Sequence, residues 1–462
     1  MLSFCLPCRG EHAGRPVGAP EGMHMDSFFR IAQRGSSAGT EVRAGLTTFL
    51  AMAYIIAVNP ALLSQAGVPA SAAVTSTCFA AGLMTIFMGL FANRPLACAS
   101  GMGINAIVAF SLTAVAGGDW RVAMAVILLE GAVITALVLC GLREAIMEAV
   151  PPALRHAIAV GLGIFIALLG LINGGIVVND DSTLITFGSV FDPVFQVGAI
   201  SIIATIVLHT FKVKGSILWG ILIAAVAGVP LGVTQMPSGI VSMPDFSSFG
   251  APFQNAADGS GMALIKVFGN PTLLVFVFSI MLSDFFDTMG TAVAVAKQGE
   301  FLDEDGNVED IRQILIVDSV AAGFGGLVGA SSCTTFMESA SGAADGGRTG
   351  LTSVVAGVIF LALGFFSPLI SVIATPVTCG ALVMVGYLMM SDVLEIDFSD
   401  PQTGIAAFIT IIGIPLTYSI SIGIGLGFIT YSLLSVILGR AKDVKALTWI
   451  IDIAFIISFI VG

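Results

Sequence analysis

Three of the carboxyl side chains inside otherwise apolar stretches of this chain point to chemistry. The run Ser283-Asp284-Phe285-Phe286-Asp287-Thr288-Met289-Gly290-Thr291 carries two of them. On a helix, Asp284 and Asp287 are i,i+3 and Asp287 and Thr291 are i,i+4, so they share one face. The third is Glu338, in the small and polar segment from Ser331 to Gly342. Two carboxyls close together in low dielectric can share protons, load a proton at neutral pH and accept N–H bonds from a ligand. The alternative for each is a buried carboxyl bonded to backbone or to a neighbouring Ser or Thr. Asn105 offers a donor and an acceptor together; its alternative is a bond that glues two helices. Asp119 in a turn, Glu130 as a packing contact and Asp318 favour structural roles. His156 and His209 fall near the ends of apolar runs. The segment Asp345-Gly346-Gly347-Arg348-Thr349-Gly350 lacks the spacing of a phosphate-binding loop and reads as a tight turn with a helix cap.

The elements that must hold these groups are membrane helices. Of the 462 residues, 56% are hydrophobic and 10% charged, and mean hydropathy is +1.00. Soluble domains carry about 25% charged residues. The composition excludes a soluble enzyme and a disordered chain, and a net charge of −12 argues against a nucleic-acid partner. A membrane barrel would show short alternating segments in place of long apolar runs. The seven Cys are scattered, most of them in apolar runs as small core residues. Cys5 and Cys8 form a lone Cys-x-x-Cys, a weak metal signal. Nothing calls for a metal or cofactor.

Apolar runs place spans at 44–63, 71–92, 97–115, 121–142, 153–172, 194–211, 216–235, 269–297, 313–329, 331–346, 351–367, 369–390, 403–418 and 419–439. With the N-terminus in the cytoplasm and fourteen crossings, sixteen of the eighteen Lys and Arg fall inside; only Arg121 and Lys266 fall outside. A miscounted span would scramble that asymmetry. Both termini are therefore expected in the cytoplasm, and loops 173–193 and 236–268 outside. The leader 1–24 has no apolar core and is not a signal peptide. The apolar run 446–461 is short for a span and is expected at the interface.

The fold class expected is an all-α polytopic membrane protein of about fourteen transmembrane spans. Seven is odd, so spans 1–7 and 8–14 have opposite orientation, which is a 7+7 inverted repeat. Such repeats hold substrate near the midplane on broken helices at matching positions. Spans 3 and 10 are the matching pair: each opens with a short extended segment of small residues and continues as a half-helix. Their facing ends would aim backbone N–H groups and positive dipole ends at one point.

Taken together, residues 41–60, Gly101-Met102-Gly103-Ile104-Asn105-Ala106, 284–291 and 335–350 resemble the nucleobase–cation symporter family that includes bacterial uracil and xanthine permeases. They look most like its purine branch, the adenine/guanine/hypoxanthine permeases of the AzgA type. Glu338-Ser339-Ala340 and Gly347-Arg348-Thr349-Gly350 favour that branch over the uracil one. The resemblance covers roughly 25–440 and not the leader.

The resemblance implies a transporter, not an enzyme. Spans 1–4 (44–142) and 8–11 (269–367) would form a core domain. Spans 5–7 (153–235) and 12–14 (369–439) would form a gate. Cytoplasmic or interfacial segments, 1–43 and 440–462, would flank them. Carried over by motif position, Asp287 and Glu338 would face the nucleobase, with Asn105 nearby and Gly103 and Asp284 in support. Phe286 or Phe336 would lie against the flat ring, beside Met337. Asp287, Glu338 and Asp284 would be the proton-coupling groups. The expected partners are a purine nucleobase, a proton and the lipid bilayer; whether the protein is a homodimer, and whether Na⁺ replaces H⁺, stay open. A uracil, xanthine or anion carrier on the same scaffold is the alternative, but an anion would prefer a basic or neutral site. An intramembrane aspartyl protease would need Gly-x-Gly-Asp, which is absent, and no filter-like repeat suggests a channel.

Overall fold

The computed structural model describes residues 28–141, 151–236, 239–259, 261–303, 308–370, 373 and 375–461. The leader with Cys5, Cys8, Arg9 and Arg15 lies outside the described residues, as do Arg143 and positions 304–307 of the 298–312 segment. Among the described residues, nine helices are long and apolar enough to cross a membrane, and five shorter apolar helices accompany them.

The chain opens with α1 (Ala38–Met52) and α2 (Ile55–Gln65), which run nearly end to end with a break at Ala53 and Tyr54. Then come α3 (Ala70–Phe91), strand β1 (Cys98–Ser100), α4 (Met102–Val115) and α5 (Trp120–Leu139). The second group is α6 (Pro152–Asn173), the strands β2 (Val177–Asp180) and β3 (Leu184–Phe187), α7 (Pro193–Thr210) and α8 (Ser216–Gly228). After the short α9 (Ala263–Phe268), α10 (Pro271–Gly299) and α11 (Ile311–Val328) lead to strand β4 (Cys333–Thr335), α12 (Ser339–Ala344) and α13 (Gly350–Leu363). The chain closes with α14 (Cys379–Met389), α15 (Pro401–Leu416), α16 (Ile420–Ile437) and α17 (Ala446–Val461).

Helix starts follow local chemistry. Asn270 and Asp192 accept the N–H groups two residues on, and the prolines after them occupy first-turn positions that need no N–H donor. Both breaks expected in spans 3 and 10 are present. β1 and β4 pair antiparallel, Cys98 opposite Thr335 and Ser100 opposite Cys333. Two further bonds extend the pair, Gly101 N to Ser332 O at 2.9 Å and Phe336 N to Ala97 O at 2.9 Å. Each extended stretch thus satisfies the other's backbone, which is the condition for non-helical chain at membrane depth. Just past Asn105, α4 turns π-helical over Ile107–Leu112.

Two sets of helices emerge from the packing. α1 and α3 pack on α13, α5 on α11, and α12 on α1 and α10. In the other set, α6 packs on α14 and α15, α7 on α8 and α14, and α15 on α16. With no hydrophobic effect to drive helices together in lipid, close backbone approach does that work. A Cβ on Gly131 of α5 would lie 2.1 Å from the backbone N of Gly323 on α11, so only glycine fits. The same holds between the α6 and α14 helices, where a Cβ on Gly386 would meet the Gly163 carbonyl at 2.4 Å.

Two features add to the sequence reading. The loop 173–193 holds a hairpin of β2 and β3, Val177 opposite Phe187. Ser182 and Thr183 donate to Asp180 at its turn and hold that carboxyl down at about 2. The C-terminal run 446–461 is a helix packed on α10 and α16, with Asp452 turned inward at 4% exposure.

Candidate functional site

Glu338 sits immediately before the first turn of α12, where β4 gives way to helix. It is half-buried, and its Oε1 accepts from the Tyr54 hydroxyl at 2.6 Å. Tyr54 reaches it from the break between α1 and α2, so an interruption in one span supplies the donor for the carboxyl at the interruption of another. Tyr54 lies in the stretch 41–60 that carries the family resemblance, yet sequence reading gave it no role. At 1% exposure its hydroxyl needs a partner, and that burial is visible only in the structure.

Asp287, midway along α10, keeps accessible surface although it stands deep in the protein. Asp318, Glu338 and Asp392 all act on it electrostatically. Asp284, one turn earlier, is fully buried and lies within electrostatic reach of Cys98 and Cys333 of the strand pair. The two carboxyls, although i,i+3, thus differ in surroundings: Asp287 keeps accessible surface, whereas Asp284 is fully buried.

Asn105 is fully buried on α4; its Nδ2 donates to Ser100 O at 3.3 Å. Gly103 faces α6, where an added Cβ would touch Leu162 Cδ1 at 3.4 Å, so this glycine marks where the two helix sets meet. The Phe336 ring is buried in the core at 5% exposure, while its neighbour Met337 is 54% exposed. Phe286 is on α10, and its side chain lies outside the described residues.

Asp318 holds the floor of the site. Its Oδ2 accepts from the Thr288 hydroxyl at 2.6 Å, and its Oδ1 from Thr335 N at 2.8 Å and the Thr334 hydroxyl at 3.1 Å. One carboxyl on α11 thereby ties the residue after Asp287 to the strand before Glu338. Sequence spacing gave no hint of this, because the three partners lie on two elements other than the one that carries Asp318.

The helix sets also touch at other points. Tyr418, between α15 and α16, stacks edge-on against Phe165 of α6 at 5.2 Å and Phe110 of α4 at 6.2 Å. Near the opposite end, Lys214 before α8 pairs with Asp345 after α12, which also accepts from Thr47 at 2.6 Å. An apolar recess lined by Leu274, Val275, Phe278 and Phe455 lies away from Glu338 and offers no polar group to orient a ligand. No cluster of three or more His, Cys, Asp or Glu side chains placed to hold a metal occurs among the described residues.

The arrangement can accept hydrogen bonds from a neutral ligand and can exchange protons with it. Comparison with known proteins gives a consistent picture. A family model described as "Permease family" matches residues 39–456. A putative permease of Methanocaldococcus jannaschii is 40% identical, covering 94% of this chain and 98% of its own. The guanine/hypoxanthine permease PbuG of Bacillus subtilis is 36% identical, over 94% and 99%. The adenine permease AdeQ of Escherichia coli is 35% identical, over 94% and 96%. Among solved structures, the transmembrane domain of the cyanobacterial bicarbonate transporter BicA superposes with a TM-score of 0.59 at 13% identity, covering 84% of this chain and 97% of that one. At that identity the likeness concerns the fold.

Proposed function

Because the chain belongs to this permease family, we propose that it is a secondary active transporter importing purine nucleobases (adenine, guanine, hypoxanthine) by proton symport. The observation that carries the proposal is the joining of two similarities with one site. The chain is similar over nearly its whole length to permeases for adenine and for guanine/hypoxanthine. It also holds two acidic side chains, Asp287 and Glu338, beside the crossing of two broken spans.

In this reading Asp287 and Glu338 accept the ring N–H groups of the base, with Asn105 and Gly103 on the facing half-helix. Tyr54 orients the Glu338 carboxyl. Met337, exposed beside it, contacts the ring. Phe286 is retained as a ring contact, whereas the buried Phe336 supports the strand from behind. A proton taken up from outside relieves the repulsion between the carboxyls and prepares the site for a neutral base. Its release inside weakens binding. Asp284 is the reserve member of this set.

The fourteen crossings are arranged 7+7, with both termini in the cytoplasm. α1–α5 and α10–α13 move as a core against a gate of α6–α8 and α14–α16. The contacts within each set support that division, and the small Gly103–Leu162 contact is a sliding surface between them.

The test is uptake of labelled adenine, guanine, hypoxanthine and uracil in a permease-deficient strain, with and without a protonophore. Purine uptake abolished by the protonophore is expected. Uptake of uracil but no purine would favour the alternative carrier. In proteoliposomes, uptake driven by a sodium gradient at fixed pH and indifferent to a proton gradient would overturn the coupling.

A further inference from the structure

Behind the strand pair, two buried carboxyls grip the same side of one extended segment. Ser332 and Thr334 are two residues apart on an extended chain, so their side chains leave the same face. Glu130 of α5 meets the first and Asp318 of α11 the second. Their hydrogen bonding is very different. Asp318 receives donors on both oxygens, from Thr288, Thr334 and Thr335, as an ionised carboxylate does. Glu130 is equally buried, at 0% exposure, but among the described residues its Oε2 has only the Ser332 hydroxyl, at 3.3 Å, and its Oε1 has no partner.

Among the described residues, no Lys, Arg or His forms an ion pair with Glu130. The charged group that acts on it is Asp318, of the same sign. Asp284, on the neighbouring α10, is the other fully buried carboxyl of this layer. An anionic Glu130 would leave a buried charge with one long hydroxyl contact and an oxygen without a donor, whereas a neutral carboxylic acid avoids that cost.

We propose that Glu130 is a positioning residue that holds β4 as a protonated, neutral acid, while Asp318 holds the same strand as a carboxylate. The two support Glu338 from opposite charge states. The functional consequence rests on the reading of Glu338 as a substrate group; the assignment of charge does not.

Paired amide substitutions separate the two carboxyls. Glu130→Gln keeps a neutral donor and acceptor, so purine uptake is expected within about twofold of the parent, with an unchanged pH profile. Asp318→Asn replaces one accepting oxygen with an NH2 that faces either Thr288 or the Thr334 and Thr335 donors, and uptake is expected to fall by about tenfold or more. Glu130→Ala is expected to raise KM rather than change the coupling. Membrane level and monodispersity in detergent are measured for each variant. Infrared spectroscopy of the purified protein supplies a readout independent of transport: a carboxylic-acid carbonyl band that persists into alkaline pH and is missing from Glu130→Gln.

Absence of that difference band would overturn the proposal. So would a Glu130→Gln variant as impaired as Asp318→Asn. A Glu130→Gln variant that exchanges purine but cannot accumulate it under a proton gradient would make Glu130 a mobile proton carrier and equally overturn a static role. If Glu338→Gln transports normally, the substrate reading fails while the infrared contrast still stands.

Discussion

Glu338 shows how one side chain is made costly and therefore informative. A carboxyl within a membrane span persists where it is used, and this one is half-buried with a single side-chain donor, Tyr54. Glu338→Gln is expected to abolish purine uptake while the protein still reaches the membrane; normal uptake would sink its assignment. Tyr54→Phe removes only the hydroxyl. A hydrogen bond to a charged group is worth about 1.5–3 kcal/mol, so a loss of roughly ten- to hundredfold in kcat/KM is expected, read from uptake kinetics with surface level as control. The acidic positions themselves were legible in the sequence, because Asp and Glu stand out in an apolar run. Tyr54 and the triple bonding of Asp318 were not. Their partners are 284 residues away in one case and spread over α10 and β4 in the other, and spacing along a helix says nothing about contacts of that range.

At the scale of elements, the interrupted spans could be read because small and polar residues break hydropathy at matching places in the two halves. The β2–β3 hairpin also had a signal, Ile176-Val177-Val178 and Leu184-Ile185-Thr186-Phe187 flanking the turn residues 179–183, but these runs are too short to register in a count of spans. The C-terminal helix was placed at the interface by its length alone, whereas its inward Asp452 and its packing on α10 and α16 are tertiary facts. Glycine content was visible, but not which glycines meet. The contact of α5 with α11 is a case where the pairing matters: Gly131 lies against the Gly323 backbone, and a Cβ on Gly326 would lie 2.6 Å from Leu128 N. Gly131→Leu must push these helices apart. Overpacking typically costs about 1–3 kcal/mol, and a backbone neighbour cannot rotate away. A lowered melting temperature in detergent, with loss of monodisperse protein, is expected; an unchanged melting curve would show that α5 and α11 do not pack as described.

The whole molecule makes a claim about sides of the membrane. The segment 173–193, with its hairpin, is expected outside and 298–312 inside, because that arrangement gathers nearly all Lys and Arg on one face. Single cysteines introduced into a cysteine-free background and treated with an impermeant thiol reagent test this. Labelling at 185 in intact cells and protection at 309 is the expected pattern. Labelling at 309 would show that the number of crossings is wrong. The ties at Tyr418 and at Lys214–Asp345 bind the two helix sets near opposite ends. Motion of one set against the other must therefore loosen these contacts.

The pairing of β1 with β4 has a consequence for how the protein is made. The strand ladder of residues 98–100 is completed only by 333–335, although the Cys98 N–H and carbonyl also bond the Thr85 hydroxyl within the first half. At ~5–20 residues per second, a ribosome needs roughly 10–50 s to cover that distance. During this interval the third span sits in or beside the translocation machinery with unpaired peptide groups that lipid will not accept. The nascent first half must therefore wait in a water-accessible or protein-shielded place, and the chain completes its midplane only when its second half arrives.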